Sequence, residues 1–302
     1  DGIRDIGVTG VQTCALPISR YSHASVGLRY LLANLGPLAA RAEILEFVIG
    51  ARTESIAESI LARRPAIVGL GVYIWNVEES TRLVAMLRAL APDLRIILGG
   101  PEVSHETDQQ PICRMADHVI TGAAEQEFFE LCDQTLRWKA GKATRPLTHL
   151  IAGGKLSPES IAMPYSLYSS EDIAHRNLYV EASRGCPYRC EFCLSALDRT
   201  AVPFPLQPLL HELELMYQRG ARRFRFVDRT FNLRIDHSLA ILDFFLEKHA
   251  ADPANLCFAH FELVPDHLPV RLRDVIVRFP EGSLQFEVGI QTWNPEVASL
   301  IS

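Results

Sequence analysis

Residues 178–193 read LYVEASRGCPYRCEFC, a short apolar strand that runs directly into three closely spaced cysteines. Cys186, Cys190 and Cys193 have the spacing C-x3-C-x2-C, and no fourth cysteine lies nearby in the sequence. Iron–sulfur clusters are usually held by four thiolates. Three thiolates leave one metal corner without a protein ligand, and an open coordination position distinguishes catalytic metal sites from structural ones. The triplet therefore predicts chemistry as well as metal binding.

Short strands and helices alternate on both sides of the cysteines, within residues 171–302. The pattern predicts strands at 178–182, 223–227, 256–262 and 283–289, and helices at 206–219, 237–249 and 270–279. Such alternation is typical of a parallel sheet with helices packed on it. Four strands with three complete helices predict a β/α barrel that stops early.

A second alternating series occupies residues 21–138. Strands are predicted at 42–48, 66–72, 94–98 and 118–121, and helices at 25–35, 53–63, 78–90 and 125–137. Two of these strands are almost continuously apolar, as expected when both faces of a parallel sheet are covered. The series predicts a doubly wound domain. Residues 139–170 lose the periodicity and contain several glycines and prolines, which predicts a linker.

The first twenty residues have an unusual composition. The run from Val8 to Ile18 resembles the translation of a common DNA-sequencing adaptor, and the chain begins with Asp1 rather than Met. We interpret residues 1–20 as an artefact, so that Cys14 has no function; the alternative is a genuine first strand. The apolar run from Ile6 to Ile18 would then stand where the domain needs its central strand. We expect the chain to be incomplete at both ends.

Charge and cysteine content restrict the classes of function. The chain has 30 basic and 36 acidic residues, and its net charge of −6 argues against a general nucleic-acid binder. No run of about 18 apolar residues is present, so no membrane span is predicted. Seven cysteines without framework spacing indicate a reducing compartment, so a cytoplasmic location is expected.

The strand followed by C-x3-C-x2-C, with the aromatic Phe192 before the last cysteine, resembles the radical S-adenosylmethionine (SAM) superfamily. The upstream series resembles the cobalamin (vitamin B12)-binding domain that often precedes it. Four further segments fit that combination: YIWN at 73–76, GGPEVS at 99–104, FVDRTFN at 226–232 and EVGIQ at 287–291. The resemblance covers residues 21–302. It implies a flavodoxin-like (Rossmann-type) domain followed by a truncated radical SAM partial TIM barrel.

The resemblance also implies a mechanism for the three cysteines. They would bind three irons of a 4Fe-4S cluster, the fourth iron would bind SAM, and reductive cleavage would give a 5′-deoxyadenosyl radical. Phe192 would cover the cluster or the adenine. An external one-electron reductant, flavodoxin- or ferredoxin-like, is implied. The alternative is a zinc site completed by Cys257 or a histidine, but zinc usually takes cysteines in two pairs, and no second pair exists.

Polar residues follow the later strands of the predicted barrel, where such folds bind their ligands. The resemblance implies that these positions line the SAM and substrate cavity: Asp228, Arg229, Glu262, Glu287 and Gln291. Asp228 and Glu262 would bind the amino group or the ribose hydroxyls of SAM. The alternative is that the carboxylates cap the next helix or pair with Arg229.

Loops that follow the apolar strands of the first domain carry the residues implied in cobalamin binding: Tyr73, Trp75, Asn76, Gly99, Gly100, Ser104 and Gly122. The glycines would let the backbone approach the nucleotide tail. Ser104 would hydrogen-bond to the tail. Trp75 would pack over the corrin ring or fill a domain interface. The alternative is a domain retained for structure without a corrin.

Two features of the first domain depart from the pattern of cobalamin proteins. Ala124 stands where relatives usually have the second glycine of a Gly-x-Gly-Glu-like turn. The signature Asp-x-His-x-x-Gly, which supplies an axial histidine, is absent, and His23, His105 and His118 do not fit it. The resemblance therefore implies cobalamin bound without a protein imidazole.

The favoured function is a radical SAM enzyme that transfers a methyl group from methylcobalamin to an unreactive carbon. One alternative is a radical SAM oxidoreductase or cyclase without methylcobalamin chemistry. Another is a non-catalytic iron–sulfur electron-transfer module. The open corner of the triplet favours an enzyme, since a pure electron carrier gains nothing from it. The sequence does not identify the substrate.

Overall fold

The computed structural model describes residues 12–18, 21–154, 157–190, 193 and 201–301. The chain forms two compact units. One comprises residues up to 156 together with 161–167, and the other comprises 157–160 together with 168 onward. Among these residues, no helix combines the length and the hydropathy needed to cross a bilayer.

The first unit contains a six-stranded parallel sheet. Its strands are β1 (Gln12–Ile18), β2 (Ala42–Val48), β3 (Ile67–Gly71), β4 (Arg95–Gly99), β5 (His118–Thr121) and β6 (Leu150–Ala152). Its helices are α1 (Val26–Ala33), α2 (Thr53–Leu61), α3 (Val77–Leu90), α4 (Pro111–Met115) and α5 (Glu125–Lys139). The strand order β2-β1-β3-β4-β5-β6 is the doubly wound order with one strand added at the edge.

Both faces of this sheet are covered, as the apolar strands predict. Val68 and Leu70 pack in a cluster with α2 and α3, whereas Ile67 and Ile97 pack in a second cluster with α1 and α5. Successive residues of a strand point to opposite faces, so a strand covered on both sides needs an apolar residue at nearly every position.

β1 lies inside the sheet, between the edge strand β2 and β3, and is therefore second from the edge and not central as expected. It pairs in parallel with both β2 and β3, and Cys14 lies opposite Ile44 and Gly69. The pairing uses backbone groups, which any apolar extended run supplies. The resemblance of this segment to an adaptor therefore stays a prediction.

The stretch that we expected to be a linker contributes a strand to the sheet. In β6, Leu150 pairs with Val119 of β5, and the amide of Val119 donates to the carbonyl of His149 at 2.7 Å. With three residues and a partner on one side only, β6 is too short to show a period in the sequence. Further along, the hydroxyls of Tyr165 and Tyr30 lie 3.2 Å apart within the same unit.

The second unit contains four parallel strands in chain order, flanked by helices. Its strands are β7 (Leu178–Val180), β10 (Arg223–Phe226), β11 (Phe258–Leu263) and β12 (Leu284–Val288), and a separate two-stranded ribbon joins β8 (Ser183–Arg184) to β9 (Val202–Pro203). Its helices are α6 (Ser170–His175), α7 (Leu206–Gln218), α8 (Ile235–Ala251), α9 (Val270–Ile276) and α10 (Pro295–Ile301). The four predicted strands are confirmed to within about three residues at each end.

Aromatic packing fixes the loop that follows β10. The ring of Phe261 stacks on Phe226 and on Phe231, with centroid distances of 4.4 and 4.0 Å. The fully buried side chain of Asn232 both donates to the carbonyl and accepts from the amide of Val264, each at 2.8 Å. The loops after β10 and β11 are therefore held to each other, and the side chains at these strand ends are held with them.

Candidate functional site

The cysteine loop leaves the sheet through the β8–β9 ribbon. Ser183 pairs with Pro203 and Arg184 with Val202, so the two ends of the segment 185–201 lie side by side. The amide of Phe204 also donates to the carbonyl of Ala182 at 2.9 Å. All three cysteines of the motif lie within this clamped segment, which follows the carboxyl end of the first strand of the second sheet.

The three thiols are half-buried and unbridged. The amide of Cys193 donates to the carbonyl of Cys190 at 3.0 Å, which draws the last two cysteines together. Burial raises the pKa of the Cys186 thiol, an amide of Tyr188 opposes that rise, and the neighbouring Cys193 and Cys190 reinforce it. A metal must displace their protons, because thiolate is the ligating form.

This donor set suits a cluster better than a single ion. In a cubane cluster each thiolate binds its own iron, so the sulfurs stay farther apart than the ligands of one ion. A tetrahedral zinc needs four ligands in one coordination sphere. Within the described segments, no group of three or more His, Cys, Asp or Glu residues is arranged to hold one metal ion. Phe192, which was expected to cover the cluster, lies outside the described residues.

The proposed fourth zinc ligand, Cys257, is on the wrong edge of the sheet. It immediately precedes β11 and is 1% exposed, whereas the cysteine loop follows the carboxyl end of β7. Parallel strands place these two ends at opposite edges. Burial raises the pKa of Cys257 to about 11, so this thiol stays protonated. The zinc alternative that used Cys257 is therefore wrong.

Asp228, expected at the SAM site, points into the protein. It is 2% exposed, and its carboxylate accepts hydrogen bonds from the amide of Ala182 at 2.9 Å and the hydroxyl of Ser183 at 2.6 Å. Burial raises the pKa of this carboxyl to about 6, although both hydrogen bonds favour the charged form. It neither caps the next helix nor pairs with Arg229. Its role as a SAM ligand stays a prediction, with both oxygens already engaged.

A small cavity lies beside Asp228. Its volume is about 70 Å³, and its lining includes Ser183, Pro203, Thr230 and His237. The hydroxyl of Thr230 is buried there without a hydrogen-bond partner. We did not predict Ser183 and His237 as site residues. Ser183 lies 45 positions from its partner Asp228 in the sequence, and no local pattern signals a contact of that range.

The raised pKa of Asp228 predicts that the free energy of unfolding depends on pH. A carboxyl that binds protons more tightly when folded makes the folded state lose stability as the pH rises from about 4 to about 6. Asparagine does not titrate. Between pH 4 and 7, the unfolding free energy of the native protein should fall relative to that of Asp228→Asn by about 3 kcal/mol. Urea unfolding of the cluster-free proteins measures this, and a pH-independent difference would refute it.

Three of the predicted strand-end residues come together. The guanidinium of Arg229 lies 3.2 Å from the carboxylate of Glu262, and Glu262 is the register neighbour of Glu287 on β12. Burial raises the pKa of Glu262, Arg229 lowers it, and the charge of Glu287 raises it again. The imidazole of His260 lies 3.6 Å from Glu287. Gln291 is exposed nearby in the chain, with its amide over Gly289.

The loops at the carboxyl edge of the first sheet are built mostly by their own hydrogen bonds. Asn76, fully buried, accepts from the amide of Tyr73 at 2.8 Å and donates to the carbonyl of Gly71 at 3.2 Å. Ser104 donates to the carbonyl of Gly100 at 2.8 Å and accepts from the amide of Gly122 at 3.1 Å. These two side chains shape the edge, and the ligand contacts expected of them stay predictions.

Two features of that edge are accessible from solvent. Tyr73 and Trp75 stack with a centroid distance of 4.6 Å, and Trp75 is 50% exposed. At Gly122, where φ is +72°, an added Cβ would meet no atom within 4 Å. His118, by contrast, begins β5 at the amino edge of the sheet. The carboxyl edge thus offers a stacked aromatic pair and a glycine that faces open space.

Gly100 is required by the fold itself. Its φ of +107° is open mainly to glycine, and an added Cβ would lie 2.5 Å from the carbonyl oxygen of Val72. We expect Gly100→Ala to lower the unfolding free energy by about 3 kcal/mol or more. At Gly99 the nearest atom would be at an ordinary 3.6 Å, so Gly99→Ala is the matched control. Thermal melting of both variants tests this, and equal losses would contradict it.

Comparison with known proteins assigns the first unit. Residues 19–131 match the family described as "B12 binding domain". That range contains the three loops at the carboxyl edge of the first sheet. The chain is 25% identical over 210 residues to an uncharacterized methyltransferase from Pyrococcus horikoshii, which is 62% of this chain and 45% of that protein.

Two further proteins similar to this chain are described with cobalamin and radical SAM chemistry. The chain is 26% identical over 219 residues to the cobalamin-dependent radical SAM methyltransferase TokK from Streptomyces tokunonensis, covering 63% of this chain and 31% of TokK. The fold of this chain resembles that of the radical SAM methyltransferase TsrM from Kitasatospora setae, which was solved with cobalamin and a 4Fe-4S cluster bound. The TM-score is 0.73 at 18% identity, and the match covers 96% of this chain and 62% of TsrM.

The chain spans less than half the length of the two curated relatives named here. At 18% identity the structural likeness shows a shared fold. The expected architecture is confirmed at that level: a B12-binding domain with a Rossmann-like sheet, followed by a parallel α/β unit that resembles radical SAM enzymes.

Proposed function

We propose that this chain forms the cobalamin-binding and SAM-cleaving parts of a radical SAM methyltransferase. The observation that carries the proposal is the clamped loop with three unbridged cysteines, placed directly after the first strand of a parallel sheet, in a chain that also has a B12-binding domain. When bound, the cluster would supply one electron to cleave SAM into methionine and a 5′-deoxyadenosyl radical, and cobalamin would supply a methyl group.

The cysteine loop would hold the cluster through Cys186, Cys190 and Cys193. Their partial burial limits solvent access; burial raises the pKa of Cys186, and the positive charge of Arg229 opposes that rise. With three protein thiolates, a fourth iron stays available to a small ligand. The electron would come from a flavodoxin- or ferredoxin-like protein.

The strand ends next to that loop carry charges of both signs. Arg229 offers a guanidinium suited to a carboxylate, and Glu262 and Glu287 offer carboxylates suited to an ammonium group. SAM presents both groups at its amino-acid end. These three side chains would therefore orient that end of SAM, with the exposed Gln291 as a further polar group.

The carboxyl edge of the first sheet would bind cobalamin. Trp75 with Tyr73 would present a flat apolar surface, and Gly122 would leave space for the nucleotide tail. Gly99, Gly100, Asn76 and Ser104 would act indirectly, by shaping the three loops. Since the sequence lacks the axial-histidine signature, no imidazole of this chain is assigned to the cobalt.

A labelling experiment tests the proposal. The protein is reconstituted anaerobically with iron, sulfide and hydroxocobalamin, reduced, and incubated with SAM that carries a labelled methyl group. We expect label in the corrinoid fraction and 5′-deoxyadenosine in the supernatant. Protein without corrinoid should still release 5′-deoxyadenosine. If a fully loaded protein gives neither product, the proposal is wrong.

A further inference from the structure

One buried carboxylate holds the stem of the cysteine loop. Asp228 lies two residues after the end of β10, and its two oxygens accept from two consecutive residues, Ala182 and Ser183, where the ribbon strand β8 begins. Ser183 lies three positions before Cys186, a span of at most about 11 Å of chain. The opposite stem residue, Phe204, is bonded back to Ala182. Asp228 thus fixes the point from which both ends of the loop start.

A buried carboxylate at this position lowers the stability of the fold. Burying an ion costs several kcal/mol unless its hydrogen bonds are satisfied, and a neutral amide of the same size would avoid that cost. Asparagine, however, has one acceptor oxygen, so it could accept from the amide of Ala182 but would have to donate to the hydroxyl of Ser183, which reverses that hydrogen bond. Only the carboxylate accepts from both stem residues at once. These two hydrogen bonds fix the position of the stem more than they stabilise the fold.

We propose that Asp228 is a positioning residue for the cysteine loop, which sets Cys186 where the other two thiols can share a cluster with it. The inference rests on the proposed function, because it needs a cluster in this loop. It also reassigns Asp228 from the predicted contact with SAM. Partners of metal ligands that act in this way typically change metal affinity by about 10- to 100-fold when they are replaced.

The test compares three variants: Asp228→Asn, Ser183→Ala and the control Thr230→Val. The hydroxyl of Thr230 lines the same cavity without a hydrogen-bond partner, so Thr230→Val alters the cavity and leaves the stem contacts intact. Each protein is reconstituted anaerobically. The measurements are iron and sulfide per chain, the EPR spectrum of the reduced cluster, the rate at which a chelator removes iron, and the melting temperature of the cluster-free protein.

We expect Asp228→Asn to lose iron to the chelator about tenfold faster and to show an altered EPR spectrum, with cluster-free melting close to that of the native protein. Ser183→Ala should change in the same direction by less, and Thr230→Val should behave as the native protein does. If Asp228→Asn does not fold, Ser183→Ala carries the test.

Three results would overturn the inference. One is an Asp228→Asn cluster with native iron content, release rate and spectrum, while Ser183→Ala is also native. Another is a native spectrum that no longer responds to SAM, which would make Asp228 a SAM ligand. The last is a native protein that takes up no cluster, which removes the proposed function as well and is thereby distinguished from the first two.

Discussion

Replacing Cys190 with alanine is expected to abolish cluster binding. Two thiolates cannot hold three corners of a cubane, and the further cysteine of the second unit, Cys257, lies at the opposite edge of its sheet. Anaerobic reconstitution followed by iron and sulfide analysis should give about four of each per native chain and close to none for Cys190→Ala. The melting temperature of the cluster-free variant should stay close to native, because Cys190 is only half-buried.

The control for this change is Cys257→Ala. Cys257 is buried and unbridged, but it belongs to the amino edge of β11. We expect this variant to lose about 1 kcal/mol of stability and to keep its full iron content. Loss of metal in Cys257→Ala, or normal iron in Cys190→Ala, would contradict the assignment of the three-cysteine loop.

Replacing Gly122 with phenylalanine is expected to abolish retention of cobalamin. An added Cβ at Gly122 points into open space at the carboxyl edge of the first sheet, where the loops after β3, β4 and β5 meet. A phenyl ring there would occupy the volume that the nucleotide tail needs. Absorbance of the corrinoid that stays with the protein after desalting should fall by about tenfold or more, equal to a loss of at least about 1.4 kcal/mol of binding free energy.

Gly141→Phe is the matched control for backbone strain. Gly141 has the same φ of +72°, also with no atom within 4 Å of an added Cβ, but it follows the C-terminal end of α5 at the other edge of the sheet. Both changes place a side chain in the left-handed region, at a cost of about 1–2 kcal/mol each. Equal corrinoid retention by the two variants would show that the carboxyl edge is not the cobalamin site.

At the carboxyl edge of the first sheet, some residues are engaged in contacts within the domain and others are exposed. Asn76, Ser104 and Gly100 are used by hydrogen bonds or by close backbone contact within the domain. The side chain of Trp75 is half-exposed, and Gly122 faces open space although its amide donates to Ser104. The cobalamin contacts expected of all five residues stay predictions.

Local patterns in the sequence predicted the strands and the cysteine loop. Continuous apolar runs predicted β3 and β4 because both faces of the sheet are covered, and the spacing of Cys186, Cys190 and Cys193 needs only one short segment. The three residues of β6 could not be predicted, because a strand of that length with one neighbour leaves no period.

The roles of individual site residues depend on contacts that are distant in the sequence. The grip of Asp228 on Ser183 spans 45 positions, and the requirement for glycine at 100 comes from Val72, 28 positions earlier. The sequence indicated that Asp228 and Gly100 are site residues, but it did not indicate their contacts with Ser183 and Val72. Arg229 and Glu262 were predicted correctly as a possible pair, since neighbouring parallel strands end at the same edge.

The most direct test of the account is the EPR spectrum of the reduced, reconstituted protein with and without SAM. The account predicts a signal from a 4Fe-4S cluster in the native chain and a clear change in that signal when SAM is added, because the corner without a thiolate is open to it. A signal that SAM leaves unchanged, or a reconstituted protein that binds zinc and no iron, would contradict it.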